Sequence, residues 1–436
     1  MRAQRMSRRH HQTKAHRGWI WLGLMLVVVF SWGGAAQAQD ATPTVDGGPT
    51  ATPTPEPITP TLTIWWPDTL YSPDEPGVIE VLQAQTDAFA ASAGVNIETR
   101  IKSNAEVGGL MATLRSADAV APAALPQLTL LRRQDLVTAQ RLGIIYSLEG
   151  RFSSGVIGSL ENMLQLGQIS EELYGLPYMV QLEHVVYQPD SGITEEDSWD
   201  YESWFERGQP LVFPGRRTRG LNDVFYLQYL ESGGSLLSDG TLTFNPASLT
   251  QTLSFYEQAS DEGLIDGFVL NYGSPSDYLP NFLSGEIQAA IFNSRDYFRI
   301  LEQIPDVGVA PIPTPEGRMV TLLDGWMWVL VTTDAEERQL VIDYITEMMS
   351  AENQVAAAQA LDMVPTRRTV LTQALPEGVD VAFYRNLISN ARLPLSDNEG
   401  GTLARALQEA FASVVTLEQN AEAAAEEVIE EETRSE

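Results

Sequence analysis

LTIWWPDTLYSPDEPGVIEVLQAQTDAFAASAGVNIETRI, residues 62–101, holds a complete strand–helix–strand pattern. Leu62 to Trp65 is a short apolar run rich in strand formers. Val78 to Ser92 places Ile79, Leu82 and Phe89 on one side of a helix. Val95 to Ile101 then alternates with the period of a half-buried strand. Working outward, Gln127–Leu131 predicts a further strand, and Leu136–Leu142 a helix ending at Gly143. Strands alternating with helices predict an α/β domain with a mainly parallel sheet.

The later chain repeats these signals less regularly. Asn245-Pro246 sets a capping residue before a proline at the first helical position, and Leu249, Leu253 and Tyr256 follow as a stripe. Ala289–Phe292 and Met327–Val331 predict buried strands. Thr333 or Asp334 caps a helix carrying Leu340, Val341, Tyr344, Ile345 and Met348. Leu403, Leu407, Phe411 and Val414 mark a late helix. From Glu418 the chain is strongly acidic, and residues 421–436 read as a solvated, fraying tail.

The N-terminus reads as an export signal. Arg2, Arg5, Arg8, Arg9, Lys14 and Arg17 form a basic zone without acids. An uncharged stretch of 19 residues, Gly18 to Ala36, follows. Ala36-Gln37-Ala38 supplies small residues for cleavage after Ala38, so residues 1–38 are assigned as a signal peptide. The other reading is a retained anchor, since the stretch is just long enough to span a bilayer. Residues 39–61 are rich in Thr and Pro and form a spacer.

The chain has 436 residues, with 27 basic and 58 acidic side chains. Such an acidic surface disfavours nucleic acid and anionic lipid. There is no cysteine, which excludes disulfides, thiolate nucleophiles and a lipidated cysteine. His184 is the one histidine beyond the signal. No phosphate-binding loop or calcium-loop spacing occurs, so no cofactor and no metal are expected.

In order along the chain stand LTIWW (62–66), VLQAQTDAFAASAGVNIETRI (81–101), PQLTLLRRQDLVTAQRLGIIYSLEG (126–150), ELYGLPYMVQLEHVVYQ (172–188), FLSGEIQAAIFNSRDYF (282–298), VGVAPIPTPEGRMVTLLDGWMWVLV (307–331) and VPTRR (364–368). This series resembles the family 1 extracellular solute-binding proteins of carbohydrate ABC importers, over about Leu62 to Leu417. The resemblance implies a two-lobed periplasmic-binding-protein type 2 fold, each lobe a sheet flanked by helices, with the ligand cleft at the hinge. The expected lobes are 62–180 with 309–362, and 181–308 with 363–420. It also implies an exported, monomeric, non-enzymatic binder of a small solute, most simply a carbohydrate, that works with ABC permease subunits.

Sugar sites pair aromatic platforms with carboxylates, amides and arginines. Trp66 and Asp68, at the end of the first strand, are candidates because strand C-termini face the crevice in open α/β sheets. Core packing is the alternative for the tryptophan. Asp324 and Trp326 lie in the return strand, and Tyr178 and Glu183 in the hinge crossing. Asn293 and Arg295 occupy the region where maltose-type members of the family stack a tryptophan. Arg216, Arg217 and Arg219 cluster in the second lobe. Fewer platforms and more arginine argue against a long maltodextrin and favour a small sugar, an acidic one such as a uronate among them; that the arginines answer the acidic surface through ion pairs is the safer reading in a chain this acidic. A secreted carboxylate-based glycosidase or lyase, or a ligand-sensing surface receptor without transport, are the competing functions. N-terminal sequencing of the native protein decides between signal and anchor: a start at Gln39 excludes the tether.

Overall fold

The structure is a computed structural model. It describes residues 59–435 apart from 106, 159–160, 218–219, 237–241 and 396–400. Residues 1–38, expected to be a signal peptide, and most of the expected spacer therefore lie outside the described residues, as does Arg219.

Strand β1 (Thr61–Pro67) pairs in parallel with β2 (Asn96–Lys102) on one side and with β3 (Leu128–Leu131) on the other. The helix between β1 and β2, Pro76–Ala93, starts on a proline, whose missing N–H costs nothing in the first turn. It ends at Gly94 with φ 66°, a left-handed position that suits a residue without Cβ. Its buried face is Val78, Leu82, Gln85, Thr86 and Phe89.

After the two-residue strands β4 (Gln168–Ile169) and β5 (Glu172–Leu173) comes β6, Gly175–Tyr187, which is 13 residues long. Beyond it lie β7 (Ser235–Leu236), β8 (Leu242–Thr243), β9 (Ala289–Asn293), β10 (Gly308–Ala310), β11 (Leu323–Leu330) and β12 (Val364–Pro365). The first part of β6 pairs with β11 and β12, and its last residues pair with β9 and β10. One strand thus runs through both lobes of the mixed α/β fold. Every pairing of β6 is antiparallel, and so is β11 with β3. The expected mainly parallel sheet holds only for β1, β2 and β3. β6 and β11, which run in opposite directions, impose the rest. Gly308–Ala310 pairs with Val185–Tyr187, whereas β11 from Leu323 onward pairs with Leu182 and the earlier residues of β6.

Both faces of the sheet are covered. On the β1 side, Trp66, Tyr178, Trp328 and Tyr344 form an aromatic core, with Trp66 and Trp328 edge-to-face at 5.1 Å between centroids. On the β9 side, Phe225, Tyr256 and Phe411 tie three helices together, Asp223–Glu231, Pro246–Asp261 and Gly401–Val415. A third cluster runs along the sheet from Trp65 and Met327 to Phe292 and Tyr384. The caps form as the sequence predicts: Asn245 accepts from Ser248 N, and Asp334 accepts from Glu336 N and Glu337 N.

The acidic tail is not frayed. Ala421–Ser435 is a helix packed on Pro246–Asp261 and Gly401–Val415. Ala421, Ala424, Ala425 and Val428 are buried at helical spacing, and Glu257 accepts a hydrogen bond from Ala421 N at 2.9 Å. The acids occupy the outer face, which masked the apolar stripe in a composition-based reading. Val428→Asp should cost roughly 2 kcal/mol or more, since it buries an unpaired charge. Thermal unfolding followed by circular dichroism checks this; an unchanged midpoint would mean a solvated tail.

Candidate functional site

The C-terminal end of β3, the later part of β6, the end of β9 and the start of β11 meet at a cleft of about 160 Å3. Each lobe contributes an arginine–aspartate pair. Arg132 directly follows β3 and precedes the helix Arg133–Arg141; it forms an ion pair with Asp324 at the start of β11. Asp324 lies opposite Gln181 of β6 and also accepts from Gly325 N at 2.8 Å. A Cβ at Gly325 would collide with the Met179 carbonyl, so glycine lets β11 approach β6 closely. From the second lobe, Arg217 Nη2 donates to both oxygens of Asp223 at 3.0 Å. Asp223 opens its helix after Asn222, whose side chain caps Phe225 N.

Glu183 stands between the two pairs, on β6 opposite Asn293 of β9. Thr321 Oγ1 fixes its backbone, accepting from Glu183 N and donating to Glu183 O, both at 2.8 Å. Its Oε2 is buried without a hydrogen-bond partner. Burial raises the Glu183 pKa, and the Asp223 charge raises it further; Arg217 and Arg132 pull it down without cancelling the shift. Asn293 caps the helix Ser294–Gln303, its Oδ1 accepting from Asp296 N at 3.0 Å and its Nδ2 donating to Asp296. Gln134 and Gln181 add amides to the wall. Arg133 is turned inward, donating to the carbonyls of Leu166 and Gln168. The lining thus combines fixed donors and acceptors with Leu322, Pro394 and Leu395, and has no aromatic ring among its described residues.

Of the residues singled out from sequence, Glu183, Asn293 and Asp324 converge here. Trp66, Tyr178 and Trp326 do not: all three lie in the aromatic core on the β1 side, at 1%, 0% and 6% exposure. β1 is an interior strand covered on both faces, so both of its tryptophans are buried, Trp65 in one cluster and Trp66 in another. Asp68 lies at the strand end but accepts from Asn104 N at 2.9 Å and shapes the loop after β2. Arg295 binds Glu75 rather than facing the cleft. Arg216 pairs loosely with Asp277. His184 is satisfied, with Nε2 2.8 Å from Tyr384 Oη, and burial pushes its pKa down to about 4.

Arg132, Gln181 and Asp223 were missed. The rule that picked Trp66, residues at strand C-termini, applies equally to Arg132 after β3. Asp223 carried no signal beyond an Asn-Asp helix start.

Because its pKa is raised by folding, Glu183 stabilises the protein fully below its ordinary value of 4.5 and loses that contribution as pH rises through the folded value. Glu183→Gln, neutral throughout, should melt higher than the parent at alkaline pH, and the gap should close toward about pH 4.5. A pH-independent gap in thermal melts would show that this carboxyl is not held in the raised state.

A search of curated protein sequences returned no match. Among solved structures, the chain is similar to maltose-bound MalE3 of T. maritima, at 18% identity and TM-score 0.64, covering 85% of this chain and 98% of that one. It is similar to a cyclo/maltodextrin-binding protein complexed with maltotetraose, at 15% identity and TM-score 0.66, covering 86% and 97%. It is also similar to the GacH receptor of Streptomyces glaucescens, at 16% identity and TM-score 0.63, covering 85% and 97%. At these identities the likeness establishes the two-lobed fold. The profile of the bacterial extracellular solute-binding proteins matches residues 84–380, most of the described chain, and the protein belongs to that family.

Proposed function

We propose that this protein captures a small, neutral, hydroxyl-rich solute, in the first instance a carbohydrate, between its lobes and presents the closed form to an ABC permease, without altering the solute chemically. The observation that carries this is the cleft itself: two arginine–aspartate pairs, one from each lobe, facing the unpartnered Glu183 on the strand that joins the lobes. Vicinal hydroxyls are donors and acceptors together, and such fixed pairs can serve both at once. Because Arg132 and Arg217 each already have a carboxylate and Arg133 is held by the carbonyls of Leu166 and Gln168, the guanidinium groups of the site are engaged within the protein rather than offered to a uronate. That favours the neutral sugar over the acidic one.

In this reading the ligand contacts are Arg132, Gln181, Glu183, Arg217, Asp223, Asn293 and Asp324. One lobe comprises residues 62–180 with the return from Leu323 through Thr366; the other comprises 181–322 with the later chain to 420 and the C-terminal helix. Closure follows from a solute that binds both lobes better than either alone. Export by way of residues 1–38 and a monomeric state complete the proposal. It is supported by the family and by the sugars named for the structural neighbours, maltose, maltotetraose and acarbose.

A thermal-shift panel of neutral hexoses, uronates, polyols and maltodextrins tests it. A true ligand at a hundredfold its Kd stabilises the fold by about 2.7 kcal/mol. Arg217→Ala should weaken binding by roughly 1.5–3 kcal/mol, the worth of a charged hydrogen bond. A panel in which only peptides or polyamines raise the melting temperature would refute the solute class.

A further inference from the structure

The helix that Asp223 opens in the cleft is closed by Glu231, about 12 Å further along its axis. The Glu231 side chain is only 3% exposed. Its Oε1 accepts from Arg392 Nε at 3.0 Å and from Arg392 Nη2 at 2.9 Å. Arg318 Nη1 stands 3.9 Å from its Oε2. The backbone of Arg392 is fixed on both sides as well. Arg392 N donates to Thr321 O, and Leu323 N donates to Arg392 O, both at 2.9 Å. The next residue is held from the same helix, Tyr226 Oη donating to Leu393 O at 3.2 Å.

Both segments that Arg392 joins reach the cleft. Leu322 lines it from one, and Pro394 and Leu395 line it from the other. Thr321, fully buried, bonds through its hydroxyl to both Glu183 N and Glu183 O at 2.8 Å. Short contacts thus run unbroken from Glu231 through Arg392 and Thr321 to Glu183. None of the first three is among the residues lining the cleft. The Glu231–Arg392 pair also differs from an exposed ion pair, which contributes little. Its carboxylate is buried, and removing the cation would leave that charge in the interior without compensation.

We infer that Arg392, anchored by Glu231, is a positioning residue for solute binding: it holds the Leu322 and Pro394–Leu395 walls together and, through Thr321, sets the place of Glu183 in the cleft. Its effect on affinity rests on the solute-binding reading above; its effect on Glu183 does not depend on which solute binds. Without the clamp the two segments part, and water reaches the Glu183 carboxyl. Lysine at 392 keeps the charge but lacks the planar fork that places two N–H groups on one carboxylate, so it restores the arrangement only in part.

The test has two arms, both run below the melting temperature of every variant. The first needs no solute: carboxyl 13C NMR follows the titration of Glu183, its signal assigned by its loss in Glu183→Gln. The parent signal should titrate above the ordinary carboxylate range, because burial disfavours the charged form. Arg392→Met and Glu231→Gln should each lower the midpoint by at least about one pH unit, a tenfold change in proton affinity, and Arg392→Lys should recover part of it. A parent signal in the ordinary range, or a midpoint unmoved in both variants, overturns the inference. If Arg392→Met fails to fold, Thr321→Val and Thr321→Ser decide: loss of the hydroxyl should lower the midpoint and serine should keep it, and equal midpoints overturn the inference. The second arm is calorimetric titration with D-glucose and with maltose. For whichever sugar the parent binds, Arg392→Met should weaken binding at least about tenfold, or 1.4 kcal/mol, with partial recovery in Arg392→Lys. A lowered melting temperature with unchanged affinity would mean a purely structural pair and overturns the inference. If the parent binds neither sugar while the Glu183 midpoint still moves, the positioning role stands and the carbohydrate reading is what fails.

Discussion

The backbone hydrogen bonds of one 13-residue strand hold the molecule together. Gly175–Tyr187 carries β11 and β12 along its first part and β9 and β10 along its last. Two of those neighbours, β9 and β11, bring residues to the cleft. Asp324 is placed opposite Gln181, and Asn293 opposite Glu183, by register alone. A one-residue slip would turn every side chain of the strand to the other face and dismantle site and core together. That is why two clusters of large aromatics are packed against it: Tyr178 fits beside Trp66 and Trp328, and His184 beside Tyr297, Phe383 and Tyr384.

The chemistry of the cleft follows from what the strand leaves incomplete. Two arginines are neutralised within the protein, and one carboxylate oxygen is buried without a donor. Burying a polar group without a partner costs free energy, so a donor hydroxyl placed at Glu183 Oε2 would bind favourably. The same logic, applied to Arg295, gave the opposite result. Its charge is met by Glu75, which stands just before the helix Pro76–Ala93.

How much of this was legible in advance depends on the range of the interaction. Helix caps such as Asn245 and Asp334 act over three residues and were readable. The order of elements was readable through its likeness to a family. The tail was misread because charge density was weighed above periodicity, although Ala421, Ala424, Ala425 and Val428 stood at helical spacing throughout. The aromatic candidates were misread for a different reason. Residue type says that Trp66, Tyr178 and Trp326 suit a sugar face, but only the layers stacked on β1 and β11 decide whether that face is open, and here it is filled.

The sequence by itself determined the absence of cysteine chemistry, the acidic surface, the alternation of strand and helix, and three of the cleft residues, Glu183, Asn293 and Asp324. These follow from composition, from local periodicity and from position in a known order. Tertiary structure alone decided that Arg132 and Arg217 meet aspartates across short gaps, that Glu183 keeps one oxygen without a donor, and that Arg295 and Arg299 share Glu75. Arg295 and Glu75 are 220 residues apart in the chain. Pairings at such separations depend on how the lobes pack, and no local pattern of residues encodes them.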